Sequence, residues 1–131
     1  MQKTGILNPD LLELLARIRH TNMLVISDRG FPFWPMIETV DISLVDGIPT
    51  VLQVLDALRS GYDFTQAYMA QEFLAENDSE TQAHFAAALA DIPVTFEAHV
   101  DLKKRVPGAI GLIRSGDITQ YANVILVSGR P

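Results

Sequence analysis

Three stretches of the chain place polar, reaction-capable side chains at the ends of apolar segments. They are Ile18-Arg19-His20-Thr21-Asn22, Ser27-Asp28-Arg29-Gly30-Phe31-Pro32, and Ile113-Arg114-Ser115-Gly116-Asp117 running on to Tyr121-Ala122-Asn123. In α/β proteins, sites are built where strands end and loops begin. His20 is the first candidate for proton transfer, because an imidazole titrates at about 6.5 and can both give and take a proton near neutrality. An isolated histidine at a helix end otherwise serves as a cap or complements the helix dipole. Asp28 lies at the far end of the strand that leaves His20, and its carboxylate would fix the imidazole tautomer if the strand leaves the two within reach. Read alone, Asp28 ahead of Gly30 is equally a turn former. His99 closes another apolar segment, whereas His84 sits mid-helix in an Ala-rich stretch and should face solvent. Tyr121 and Asn123 are two apart ahead of an apolar run, so in extended backbone they point the same way. A phenol and a carboxamide supply an aromatic wall, donors and acceptors, which suits a polyhydroxylated ligand. The competing reading is a tyrosine packed at a sheet edge and an asparagine in a turn.

Other chemistries find less support. A metal held by His20, His99 and a carboxylate would lack the close ligand spacing of the familiar zinc motifs, so no metal is expected. Ser27 and Ser115 stand outside any Gly-x-Ser-x-Gly elbow. Neither a Gly-x-Gly-x-x-Gly turn nor a phosphate-binding P-loop occurs. Cysteine is absent, which removes thiolate catalysis and disulfides.

The elements that must position these groups read from periodicity and punctuation. Asn8, Pro9 and Asp10 start a helix with cap, first-turn proline and dipole-complementing acid in order. Leu11, Leu14, Leu15 and Ile18 then share one face, and the helix is expected to end near Arg19 or His20. Met23 to Ser27 reads as a buried strand, followed by a loop through Gly30, Pro32 and Pro35. Val40, Ile42 and Leu44 alternate with polar residues as a half-buried strand does. Pro49 opens a second helix carrying Val51, Leu52, Leu55 and Leu58, with Gly61 just past its end. Residues 64–71 read as a strand, 79–89 as a helix, and Val94, Phe96 and Ala98 as a strand delivering His99. Residues 109–113 and 124–127 complete the set. Strands alternating with helices imply the α/β class. The expectation is a single domain over 1–131, a three-layer α/β/α arrangement around a mixed sheet of about six strands.

At 131 residues, with 48% hydrophobic and 20% charged side chains, the chain can bury a core without staples. Its net charge of −6 argues against a nucleic-acid partner. The one basic run, Lys103-Lys104-Arg105, reads as a solvated helix face. No stretch approaches the roughly 20 apolar residues of a membrane span, and no secretory signal opens the chain. A cytoplasmic location and no membrane partner are expected.

Taken in order, Gly5-Ile6-Leu7-Asn8, Arg19-His20-Thr21-Asn22, Asp28-Arg29-Gly30-Phe31-Pro32, Arg114-Ser115-Gly116-Asp117 and Tyr121-Ala122-Asn123 resemble the D-ribose pyranase and L-fucose mutarotase family over the whole length. His99 and the Tyr-Ala-Asn wording lean toward the ribose type. The resemblance implies that His20 is the general acid/base and that Asp28, His99, Tyr121, Ala122 and Asn123 hold a monosaccharide. It also implies no cofactor and a homo-oligomer, commonly a decamer of stacked pentamers, with sites between neighbouring subunits. The expected reaction is pyranose–furanose or anomeric exchange. The alternatives are a non-catalytic sugar-binding or transport-accessory ring, or a fucose-type mutarotase. Three positions depart from the family pattern. Arg19 stands where a glycine would take a left-handed conformation, and Asn22 where an aspartate would stand. Arg29 replaces a small residue beside Asp28 and could pair with it or tune the site toward an anionic sugar. Trp34 could stack on a sugar face or fill a subunit contact.

Overall fold

The computed structural model describes residues 1–129. Its elements run α1 (Pro9–Ala16), β1 (Met23–Ser27), β2 (Glu38–Asp41), α2 (Val51–Arg59), β3 (Phe64–Ala70), α3 (Gln71–Glu76), α4 (Ser79–Leu89), β4 (Val94–Glu97), α5 (His99–Arg105), a short 3-10 turn, β5 (Gly111–Arg114) and β6 (Val124–Ser128). The six strands form one mixed sheet in the order β2-β5-β1-β6-β3-β4. β5 lies parallel to both β1 and β2, β3 lies parallel to β4, and β6 runs antiparallel between β1 and β3.

Strand alternation builds three layers. Leu24, Ile26, Ile113, Val124 and Leu126 face a core filled by Leu11, Leu14 and Leu15 of α1, Val51, Val54, Leu55 and Leu58 of α2, Phe73 of α3, and Phe85 and Leu89 of α4. Val25, Leu112 and Ile125 face the opposite way, onto Leu102 of α5, Val106, Ala109 and Phe31. Both faces of the central strands are apolar, as a sheet covered on both sides requires.

The local signals place most boundaries. Asn8 Oδ1 accepts from the Asp10 and Leu11 N–H groups at 2.9 and 3.0 Å. α1 nonetheless ends at Ala16, short of Arg19. The Arg17 and Ile18 N–H groups bond three residues back, to Leu14 O and Leu15 O, which tightens the last turn. Asn22 Oδ1 then takes the Arg19 N–H at 2.8 Å. The left-handed residue here is Thr21, at φ 70°, rather than Arg19. At α2 the cap is Thr50 and not Pro49: Thr50 Oγ1 accepts from Gln53 N–H at 3.1 Å, and Gln53 Oε1 accepts from Thr50 N–H at 2.9 Å. The alternation over 40–44 is only half used. β2 stops at Asp41 because its partner β5 stops at Arg114, and Leu44 is left 75% exposed. The pattern gives no sign of α3, a short helix with Phe73 as its buried side chain. β4 delivers His99 as anticipated, and His99 is also the first residue of α5.

Candidate functional site

The sheet brings most of the candidate residues to one end. β1 and β6 run antiparallel side by side, so the residue after β1, Asp28, meets the residue before β6, Asn123. The Asp28 N–H donates to Asn123 Oδ1 at 2.9 Å, and Asn123 is only 2% exposed. The Asp28 carboxylate turns back to accept from Gly30 N–H at 2.9 Å, closing the loop that starts there. Tyr121, two residues before Asn123, holds φ 55° and sets its ring against the His99 imidazole at 5.1 Å, edge to face. Phe31 closes the other side of His99 at 6.0 Å and leads on to Trp34 at 6.2 Å. Ala122 is wholly buried in the core, and its side chain is closed off from a ligand.

The electrostatics of this end are those of partly buried groups. Burial pushes the Asp28 carboxyl up from its ordinary range, while hydrogen bonds from Gly30, Asn123 and Phe31 draw it back. Burial also pushes His99 down, and the nearby Lys103 ammonium adds to this against the pull of Glu72 and Asp28. His99 is therefore neutral at neutral pH, and Asp28 is its nearby carboxylate. The His99 N–H donates to both oxygens of Glu72, at 3.0 and 3.1 Å, which fixes the start of α5. His99 Nδ1 and Trp34 Nε1 are buried without a hydrogen-bond partner among the described residues. Beside them, Pro32, Phe33, Trp34, Val100, Lys103, Lys104 and Pro107 line a cleft of about 370 Å³.

His20 stands elsewhere. It lies in the exposed turn ahead of β1, next to Ser128 and Gly129 at the end of β6, whereas Asp28 follows β1. β1 is five residues long, and at about 3.3 Å per step it alone puts roughly 13 Å between its end residues. The His20–Asp28 contact that would set the imidazole tautomer is therefore not made within one chain. Arg29 does not pair with Asp28 either; its Nε lies 3.3 Å from Asp46 Oδ1, with both side chains exposed. His84 is exposed on α4, as its position in the helix implies.

Several contributors escaped the sequence reading. Phe31 is 5% exposed although it sits in a loop, and an apolar residue between Gly30 and Pro32 was the available signal. Arg114 was quoted for its motif alone, yet it holds the site loop. Its guanidinium donates to Phe31 O at 2.6 Å, Arg29 O at 3.2 Å and Pro32 O at 3.4 Å. Ser115 and Asp117 are wiring: Ser115 Oγ donates to Ser27 O at 2.6 Å, and Asp117 Oδ2 accepts from Val51 N–H at 2.8 Å. Lys103, Lys104 and Arg105 do not share one solvated face. Lys104 pairs with Asp101, Arg105 grips Glu97 and covers the Tyr68 ring at 3.8 Å, and Lys103 leans to the cleft beside His99. Among the described residues no group of three or more His, Asp and Glu side chains is placed to hold a metal ion.

The sequence and fold have counterparts. The family model described as the RbsD / FucU transport protein family matches residues 1–131. A D-ribose pyranase of Geobacillus thermodenitrificans is 37% identical over 129 residues, covering 98% of this chain and 97% of that protein. The structure of Bacillus subtilis RbsD complexed with D-ribose superposes with a TM-score of 0.92 at 30% identity, over 100% of this chain and 99% of that one. The fucose mutarotase of Streptococcus pneumoniae, in complex with L-fucose, shares the fold at a TM-score of 0.78 and 18% identity, over 95% of this chain and 94% of that one.

Proposed function

Because the chain belongs to the RbsD / FucU transport protein family, we propose that it is a sugar pyranase that interconverts the pyranose and furanose forms of D-ribose or a related aldose. It is an intramolecular isomerase, as are the D-ribose pyranases it matches over nearly its full length. The observation that carries the substrate class is the convergence of Asp28, His99, Tyr121 and Asn123 at one end of the sheet. Between them they bring a carboxylate, a neutral imidazole, a phenol and a carboxamide to one partly buried end of the sheet, the mixture of donors and acceptors that sugar hydroxyls need.

The reaction asks little beyond proton transfer. A proton leaves the anomeric hydroxyl, one reaches the ring oxygen, and the bond from the anomeric carbon to the ring oxygen breaks to give the open aldehyde. A different hydroxyl then adds to the carbonyl and the protons return, so nothing is consumed. General acid/base help of this kind is worth about 10²–10⁴-fold. His20 is the acid/base, and Asp28, His99, Tyr121, the Ala122 backbone and Asn123 hold the sugar. No cofactor is needed. Trp34 forms the apolar wall beside the pocket. The strand-length separation of His20 from the residues that hold the sugar supports a composite site, with His20 supplied by a neighbouring subunit. The assembly is a homo-oligomer, a decamer of stacked pentamers with sites at its interfaces, and it works in the cytoplasm.

Saturation-transfer proton NMR of ribose, with and without the protein, tests this directly. Acceleration of pyranose–furanose exchange is expected. Acceleration of fucose, galactose or a uronic acid alone would move the substrate, and acceleration of none would overturn the enzyme reading in favour of a binding ring.

A further inference from the structure

We infer that Asn22 and Gly129 are positioning residues for His20: a braced turn and a bare backbone seat aim the proton-transfer group. The inference rests on the role of His20 proposed above.

The turn that carries His20 is closed by Asn22 from both of its polar ends. Asn22 Oδ1 accepts from Arg19 N–H at 2.8 Å, and Asn22 N–H donates to Arg19 O at 3.2 Å. Asn22 is then tied to β6, where Ser128 N–H donates to Asn22 O at 2.9 Å and Thr21 N–H donates to Ser128 O at 3.0 Å. Between these ties Thr21 is held at φ 70°, a conformation that a β-branched residue adopts only when its surroundings over-determine it. Such strain sits next to His20 in a turn that is otherwise exposed, where relaxed conformers would be available to an unbraced chain. The imidazole itself rests over Gly129. A Cβ built there would lie 3.1 Å from His20 Nδ1 and 3.7 Å from the Thr65 methyl, and Gly129 holds φ 134°. The seat therefore favours glycine, first for backbone, and a Cβ would also press the imidazole aside by a few tenths of an ångström. The charged residues on the elements meeting here are Arg19, whose guanidinium is turned onto Ala16 O and Ile18 O, and Asp63 just ahead of β3, whose carbonyl takes the Gly129 N–H.

The test combines exchange kinetics on ribose with NMR titration of the His20 ring, assigned by comparison with His20→Gln. Asn22→Ala is expected to lower kcat about 10- to 100-fold with KM little changed, since a misaimed group costs rate while the sugar-holding residues are untouched. Asn22→Asp keeps an acceptor for Arg19 N–H and is expected to recover most of that loss. Its added carboxylate favours the imidazolium, so the His20 midpoint and the matching limb of the pH–rate profile should both move to higher pH. Gly129→Ala should reproduce the kcat loss without touching the turn, and it carries the test if Asn22→Ala does not fold. Wild-type kcat in both Asn22→Ala and Gly129→Ala, or an unmoved His20 titration in Asn22→Asp, would overturn the inference. If the wild-type protein accelerates no exchange at all, the functional reading fails instead, and the ring titration still decides the positioning.

Discussion

Asp28 is held where burial opposes its charge, and that tension makes two measurable demands. Its carboxyl is raised from the ordinary 3.8, with burial as the largest cause. The folded state therefore keeps this proton to a higher pH than the unfolded chain does. Stability from this group is greatest in acid and declines as pH rises through the folded value, so at neutral pH the charged form is a cost. Asp28→Asn should leave the thermal midpoint equal or higher at neutral pH, the difference vanishing in acid. It should also weaken sugar binding about tenfold or more, because a charge-assisted hydrogen bond is lost. Melting curves and calorimetric titration would read the two effects; a variant that melts earlier at neutral pH would contradict the first. The pH dependence of binding follows from the same pair. His99 is lowered from 6.5 and Asp28 is raised from 3.8. Sugar affinity should then be flat above pH 6.5 and fall only in acid, as Asp28 takes up its proton and His99 becomes charged. An affinity that instead declined from neutral pH upward would show that other groups control it.

Among the elements, the loop after β1 is fixed from outside itself. Arg114, at the end of β5 with only 11% of its side chain exposed, gathers three carbonyls of that loop and lies 3.8 Å from Asp41 Oδ2. A well-formed hydrogen bond to a charged donor contributes about 1.5–3 kcal/mol net, and of the three here the one to Phe31 O, at 2.6 Å, is short. Arg114→Ala should cost about 2–3 kcal/mol of unfolding free energy in a denaturant titration. It should raise KM more than it lowers kcat, since Asp28 and Phe31 would lose their support while the turn that carries His20 is untouched. An unchanged KM would separate the clamp from the site. This clamp was legible as a motif but not as a role, because its partners are 82 to 85 residues away in the chain. The same holds for Ser115, bonded to a residue 88 positions earlier, and for Asp117, which caps α2 from 66 positions later. Side chains read as chemistry at short range turned out to be long-range wiring.

For the molecule as a whole, the decisive feature is that His20 and the Asp28 group occupy opposite ends of β1. If each working site combines two subunits, His20→Ala and Asp28→Ala assemblies should each be inactive, whereas rings assembled from a mixture should regain activity. In mixed rings some interfaces join an intact His20 to an intact Asp28. Co-refolding the two variants and measuring ribose exchange checks this, and no recovery in assemblies of confirmed mixed composition would count against a site shared between subunits.

By itself the sequence determined the segments: where α4 and β1 begin and end, which faces of the strands are apolar, and which side chains stand at strand ends. Those follow from period, capping and turn chemistry, all of which act over a few residues. It also carried the family likeness through motifs spread along the whole chain. Only the tertiary structure decided which strands are neighbours, and with that which strand ends meet. Insertion of β6 antiparallel between β1 and β3 joins Asn123 to Asp28, brings Tyr121 to His99, and sends His20 to the other end. Local signals end α1 too late and leave α3 unseen, because those choices turn on hydrogen bonds to distant backbone and on a single buried phenylalanine. Strand order is a property of how two apolar faces are covered at once, and no window of adjacent residues contains that information.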